Sequence, residues 1–413
     1  MLAQRGQDSD RAVARALTTH HSRATARALR PFRAALAAVA VTATALVALT
    51  AALGGTAASA ATVAPAHPAH VVRAQLPGHD AAGQLPATGV TWNQLSLVNG
   101  WQSSQSDYNS GDPAWAVKNG MVYLSGSMKG GSTNQFATLP PAARPAHVLY
   151  ITVYTYNGTS GFLIILPNGT MDVGAPFSNE ATYTSLAGVS FPAATTAAAT
   201  LSLLNGWQSA NAAQGGTGDP AYTVSGGAVH LSGSLQQPSG TNTEFTVLPK
   251  AARPAHVLWI TVYTNQGTVG TLEIAPNGDA YAYSANAQVY TSLAGISYPT
   301  ATVSQHPLAL LNGWKSQPNS MAGTGTPSYA VTGGVVYLSG SIYQSTGSND
   351  EFAVLPVGAR PVHTLYLKVF NTYTVVGVVQ IDPNGQMTAW DYNAGIQAQL
   401  DTSLSALSYP VGS

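Results

Sequence analysis

Beyond residue 90 the chain is a succession of short runs rich in Val, Ile, Leu, Tyr and Thr, broken by Gly, Asn, Pro and Ser about every 8–12 residues. Within a run the apolar positions alternate. In the stretch from Gly120 to Met128, Val122 and Leu124 share one strand face while Met121 and Tyr123 share the other. No stretch after residue 60 keeps a helical period with caps at its ends. Asn-Gly pairs after a proline, such as Asn168-Gly169, mark hairpin turns, because Asn and Gly both tolerate positive φ. The pattern predicts an all-β chain of sandwich or barrel type.

The pattern recurs three times. Asn-Gly-Trp opens each copy, at Trp101, Trp207 and Trp314. Leu-Ser-Gly-Ser follows at Leu124, Leu231 and Leu338, then Leu-Pro and Arg-Pro at Arg144, Arg253 and Arg360. Strands beginning at His147, His256 and His363 lead to Pro-Asn-Gly, and each copy ends on Ser-Leu and an aromatic-Pro pair. The step from Arg to the Asn of Pro-Asn-Gly is 24 residues in every copy, so that part is a rigid hairpin unit. Three tandem β-sandwich or jelly-roll-like modules are predicted over 93–193, 199–300 and 306–413.

What precedes them is different. Seven arginines lie within the first 33 residues, followed by an uncharged apolar run over 34–53 and Ala58-Ser59-Ala60. That order reads as a secretory signal, with residues 1–60 removed by cleavage after Ala60; the alternative is an uncleaved anchor, since about 20 apolar residues could span a bilayer. Residues 61–92, rich in Ala, Pro, His and Gly, form a disordered linker. The sortase-like pentapeptide Leu85–Gly89 precedes all three copies and is taken as coincidental. The mature chain is therefore expected to be secreted and extracellular, with no membrane association after cleavage.

Composition narrows the function. Only 8% of residues are charged, and beyond residue 60 nine Lys and Arg face fourteen Asp and Glu. A mildly acidic chain does not bind a phosphate backbone, so no nucleic-acid partner is expected. Cysteine is absent, which removes disulfides, thiolate metal sites and thiol catalysis.

The order Asn-Gly-Trp, Leu-Ser-Gly, Leu-Pro, Arg-Pro, Pro-Asn-Gly, Ser-Leu, aromatic-Pro resembles the C-terminal head modules of phage tail-fibre and baseplate receptor-binding proteins, those of actinobacterial phages above all. The likeness covers nearly all of each copy. It implies small β-sandwich heads, usually trimeric, that bind cell-surface carbohydrate without covalent chemistry. The chain departs from it in carrying an export signal, in having no fibre shaft and in placing three heads on one chain. A cellular protein with a phage-like module fits better than a phage protein.

No catalytic constellation stands out, and no acidic pair recurs through the copies as glycoside hydrolysis requires. The chain is read as non-enzymatic, without a cofactor or a metal. His147, His256 and His363 could meet around a metal on a threefold axis, but a strand-opening His that satisfies a loop carbonyl is the preferred reading. The recurrent Arg is read as capping loop carbonyls and the recurrent Trp as core packing. Ligand contacts are assigned instead to aromatics and amides in the variable loops. These are Tyr108, Tyr156 and Asn157 in copy one, Tyr281 and Tyr283 in copy two, and Tyr343, Tyr373, Trp390, Asp391 and Tyr392 in copy three. The expected function is non-enzymatic binding of an extracellular saccharide or cell-wall polymer; the alternative is a structural exoprotein of a coat or sheath, with a hydrolase behind both. The linkers at 193–200 and 300–307 reach at most ~28 Å when extended, short enough for the three copies to form a pseudo-trimer within one chain.

Overall fold

Each copy folds because its alternating strands can bury one face against a second sheet. In the computed structural model, which describes residues 89–175, 179–284, 286–317, 321–371, 376–390 and 397–413, the protein is almost entirely β. The expected signal segment and nearly all of the expected linker lie outside the described residues. Copy one contains β1 (Asn93–Gln94), β2 (Trp101–Ser103), β3 (Ala114–Lys118), β4 (Met121–Ser125), β5 (Ser127–Gly130), β6 (Gln135–Thr138), β7 (Leu149–Thr155), β8 (Thr159–Ile165), β9 (Thr170–Gly174), β10 (Thr184–Ser185) and β11 (Ser190–Pro192). A four-stranded antiparallel sheet runs β1-β3-β4-β11, and a seven-stranded sheet runs β2-β5-β10-β7-β8-β9-β6. Copies two and three repeat this plan. Their larger sheet is two pieces, each joined by a single bridge, Thr264 to Thr291 and Asn371 to Thr402.

The chain passes from one sheet to the other at the Leu-Ser-Gly-Ser motif. Gly126 separates β4 from β5 with φ 85°, and a Cβ there would lie 2.2 Å from the Asp112 carbonyl oxygen. Only glycine fits, which explains its return at Gly233 and Gly340. The hairpin turns differ from the simple expectation. In Pro167-Asn168-Gly169 only Gly169 takes positive φ, at 94°, and Gly169 N donates to Leu166 O at 2.8 Å. This is a type I turn closed by a left-handed glycine. Both residues are left-handed in Asn99-Gly100, at φ 55° and 79°.

The core of copy one lies between its sheets. Val122 and Leu124 from β4 pack with Ile151, Val153, Leu163 and Met171 from the larger sheet. Phe136, Phe245 and Phe352 sit at the same β-bulge in each copy and are fully buried. Trp101, Trp207 and Trp314 are core residues as well, 6.4, 6.1 and 6.0 Å from those phenylalanines between ring centroids. Each indole N–H donates to a loop carbonyl: Thr133, Asn242 or Asn349.

The other face of β4 is also buried, and the reason is the neighbouring copies. Met121 and Tyr123 pack with Ala228 of copy two and Val335 and Tyr337 of copy three. Contacts between copies then follow a cyclic order. Val148 N donates to Gly216 O at 3.0 Å, Val257 N to Gly323 O at 2.9 Å, and Thr364 N to Asn109 O at 2.9 Å. Copy one thus leans on copy two, two on three, and three on one. His147 lies over Gly218, His256 over Gly325 and His363 over Gly111, so close that a Cβ would come within 2.7 Å of each imidazole. Trp92 Nε1, just before copy one, donates to Gly412 O at the end of copy three, at 3.1 Å.

Candidate functional site

The outward face of the β7-β8-β9 hairpins carries the aromatic residues, because inward positions are taken by the aliphatic core. Along β7 this puts Tyr150, Thr152 and Tyr154 outward. Their counterparts are Trp259, Thr261 and Tyr263 in copy two, and Tyr366, Lys368 and Phe370 in copy three. These faces meet at the junctions between copies.

At the junction of copies three and one, Tyr366 packs among Tyr154, Tyr183 and Tyr108, with Tyr108 and Tyr183 centroids 4.3 Å apart. At the junction of copies one and two, Tyr150 stacks on Tyr263 at 5.0 Å and meets Tyr290 edge-on. At the junction of copies two and three, Trp259 lies 5.7 Å from Phe370 with ring planes 20° apart. There the position held by Tyr183 and Tyr290 is taken by the buried Asp401.

The third junction continues outward as a row of rings. Tyr283 lies 6.0 Å from Trp259 with planes 22° apart, and Tyr281 lies 6.2 Å from Tyr283 with planes 11° apart. Phe370, Trp259, Tyr283 and Tyr281 therefore make four near-parallel rings across a strand hairpin. Trp259, Tyr281 and Tyr283 are half-buried. Carboxylates edge the row. Tyr283 Oη donates to Glu273 Oε2 at 2.8 Å, and Asn277 Nδ2 donates to Asp279 Oδ2 at 2.7 Å. Burial pushes the Glu273 carboxyl up, against the opposing effect of the Tyr283 hydrogen bond. Burial and then the charges of Asp279, Glu244 and Glu273 push the Tyr281 phenol up to about 12. Flat ring faces suit the C–H surface of a pyranose, and carboxylate oxygens accept bonds from its hydroxyls.

The residues singled out from sequence fall into separate places. Tyr281 and Tyr283 belong to the row. They lie on a strand, Asp279–Tyr283, rather than in a loop. Tyr108, Tyr156 and Trp390 come together, packed against the tyrosine cluster between copies one and three, with Trp390 and Tyr154 centroids 5.9 Å apart. Asn157 sits in the adjoining turn at φ 60°. Tyr343 stands apart on a strand of copy three, opposite Lys315. Tyr373, Asp391 and Tyr392 lie outside the described residues. Trp259, Phe370 and Glu273 were not anticipated, since they sit in framework strands. A signal existed: Glu273 stands where the other copies have Ile164 and Gln380.

The recurrent Arg, Trp and His are framework residues. Arg144 Nε donates to Leu139 O at 3.1 Å, Arg253 Nε to Leu248 O at 2.9 Å and Arg360 Nε to Leu355 O at 2.8 Å. Each guanidinium thereby ties the Leu-Pro turn beside the Asn-Gly turn. Each recurrent His packs on a glycine of another copy, and among the described residues no group of His, Asp and Glu is arranged to hold a metal. No helix among the described residues is long and apolar enough to cross a membrane. No family model, no curated protein and no solved structure matches the chain.

Proposed function

We propose that the protein is a secreted, non-enzymatic saccharide-binding protein that engages a cell-surface or cell-wall polymer through the ring row of copy two. The observation that supports this reading is the alignment of Phe370, Trp259, Tyr283 and Tyr281 as near-parallel rings edged by Glu273 and Asp279. A polymer lying along the row would place successive sugar faces on Tyr281 and Tyr283 and hydroxyls on the carboxylates. Copy one offers Asp172 and Gly174 at the two tyrosine positions, and copy three Thr388 and Trp390. The three copies therefore share a frame, and the half-buried rings of the platform, Trp259, Tyr283 and Tyr281, come from copy two alone. The phage-head resemblance points to the same ligand class.

The test is a glycan array and a cell-wall pull-down with the mature chain. Binding that falls at least tenfold in Tyr281→Ala and Tyr283→Phe/Tyr281→Ala, at unchanged melting temperature, supports the reading. An absence of saccharide binding by the wild-type chain would shift the assignment to a structural coat or sheath protein.

A further inference from the structure

The cavity where the three copies meet borders the buried end of the ring row at Phe370, but it is not lined by Trp259, Tyr281 or Tyr283. Its walls come from all three copies, with Thr152, Thr261 and Lys368 at equivalent strand positions. The other wall residues are mainly apolar, such as Val153, Val262, Ile296 and Leu407. Lys368 is the only Lys, Arg, His, Asp or Glu among them. The volume is about 70 Å³. One water needs roughly 10–15 Å³ on that measure, so the space admits several waters or an ion of carboxylate size.

Among the described residues no carboxylate pairs with Lys368. An ammonium has three N–H donors. One is directed at Ser160 Oγ of copy one, and among the described residues the one salt bridge is Lys129 with Asp107, elsewhere in copy one. Lys368 is half-buried, and an ammonium partly withdrawn from water is penalised unless an opposite charge accompanies it. The other two copies avoid that cost with threonine.

We propose that this cavity is a site for a small monovalent anion, with the Lys368 ammonium as its counter-charge and the Thr152 hydroxyl as a neighbouring donor. A doubly charged anion is disfavoured, since desolvation cost grows with the square of the charge while the cavity supplies one cation. The titration of Lys368 agrees with this. Burial pushes its amine down to about 7, so the uncomplexed site gives up its proton near neutrality and an anion restores it. The other titratable group on the wall is Tyr154, whose phenol burial pushes well above its usual range, so it stays neutral. Lys368's own sheet neighbours, Val378 and Trp390, carry no charge.

The experiment titrates the whole mature chain with sodium acetate, and separately with sodium chloride, at pH 6 and pH 9, and follows its melting temperature. Lys368→Thr and Lys368→Met serve as references and cancel the general effect of salt. The expected result is a saturable rise of roughly a few degrees in the wild type at pH 6. It should weaken at pH 9 and be absent in both variants. A response to acetate alone would assign a carboxylate, and a response to both salts would assign any small monovalent anion. Parallel curves for wild type and variants, or no saturable rise in the wild type, would overturn the proposal.

Discussion

Tyr366 of copy three stacks on Tyr154 of copy one, with ring centroids 5.9 Å apart and planes 16° from parallel. Both rings are buried, so the contact is part of a core that no single copy owns. Tyr366→Ala is expected to cost about 3–5 kcal/mol of stability, as for other large aromatic truncations. A double-mutant cycle with Tyr154→Ala in urea should return a coupling of about 0.5–1.5 kcal/mol. Additive losses would mean that the two rings do not interact in solution.

Acid should loosen the assembly through His230. It is 2% exposed, its Nδ1 has no hydrogen-bond partner, and burial pushes its imidazole down to about 4. The unfolded chain binds this proton at about 6.5. Between those values the unfolded state holds more protons, so stability falls as pH drops from about 6.5 towards 4. The other copies have Tyr123 and Tyr337 at this position. His230→Tyr should flatten that part of the pH–stability curve, read by melting temperature, while an unchanged slope would clear His230 of the role.

Lys368 has the complementary sign. Its amine is down at about 7 in the folded chain, against about 10.4 when unfolded. The group destabilises the fold fully below pH 7, and the penalty fades as pH rises from 7 towards 10.4. In low-salt buffer Lys368→Thr should therefore stabilise the protein, more at pH 6 than at pH 9. Equal gains at both values would show that the amine titrates as an exposed lysine does.

The recurrent arginine should matter to folding rather than to ligand. Arg253→Ala removes the bond to the Leu248 carbonyl and should cost about 1–3 kcal/mol. Saccharide binding by the folded fraction should be unaltered. A normal melting temperature combined with lost binding would reverse the assignment.

Because the repeated contact surfaces are used within the chain, residues 89–413 are expected to form a compact monomer. Light scattering coupled to size exclusion gives the mass, and X-ray scattering gives the shape. A concentration-dependent trimer, or a rod of separated copies, would contradict this.

Much of the frame was readable from residue pattern. The strands, the turn glycines and the two faces of β4 follow from alternation and punctuation, and the core tryptophans from their recurrence. The destination of the second face was not readable. Alternation shows that Met121 and Tyr123 lie opposite Val122 and Leu124, but not that they meet Ala228 and Val335. For the same reason Tyr108, Tyr156 and Trp390, chosen as ring faces for a ligand, turned up packed around tyrosines at a junction. The informative sequence signal was departure between copies. His230, Glu273, Lys368 and Asp401 each replace a residue of different character in the other two, and each lies on a face turned away from its own copy's core.

The wall of the central cavity carries Thr152, Thr261 and Lys368, one from each copy. Three identical chains around an axis must repeat every axial residue threefold. A lysine there would bring three like charges together, and its mutual repulsion would select against it. Joining the copies in one chain removes that constraint. One position can then be mutated alone, and a single charge, a single histidine or a single aromatic platform can arise in a nearly symmetric frame. Covalent triplication thus provides a way to evolve asymmetry, and it does so without giving up the contacts that hold the three copies together.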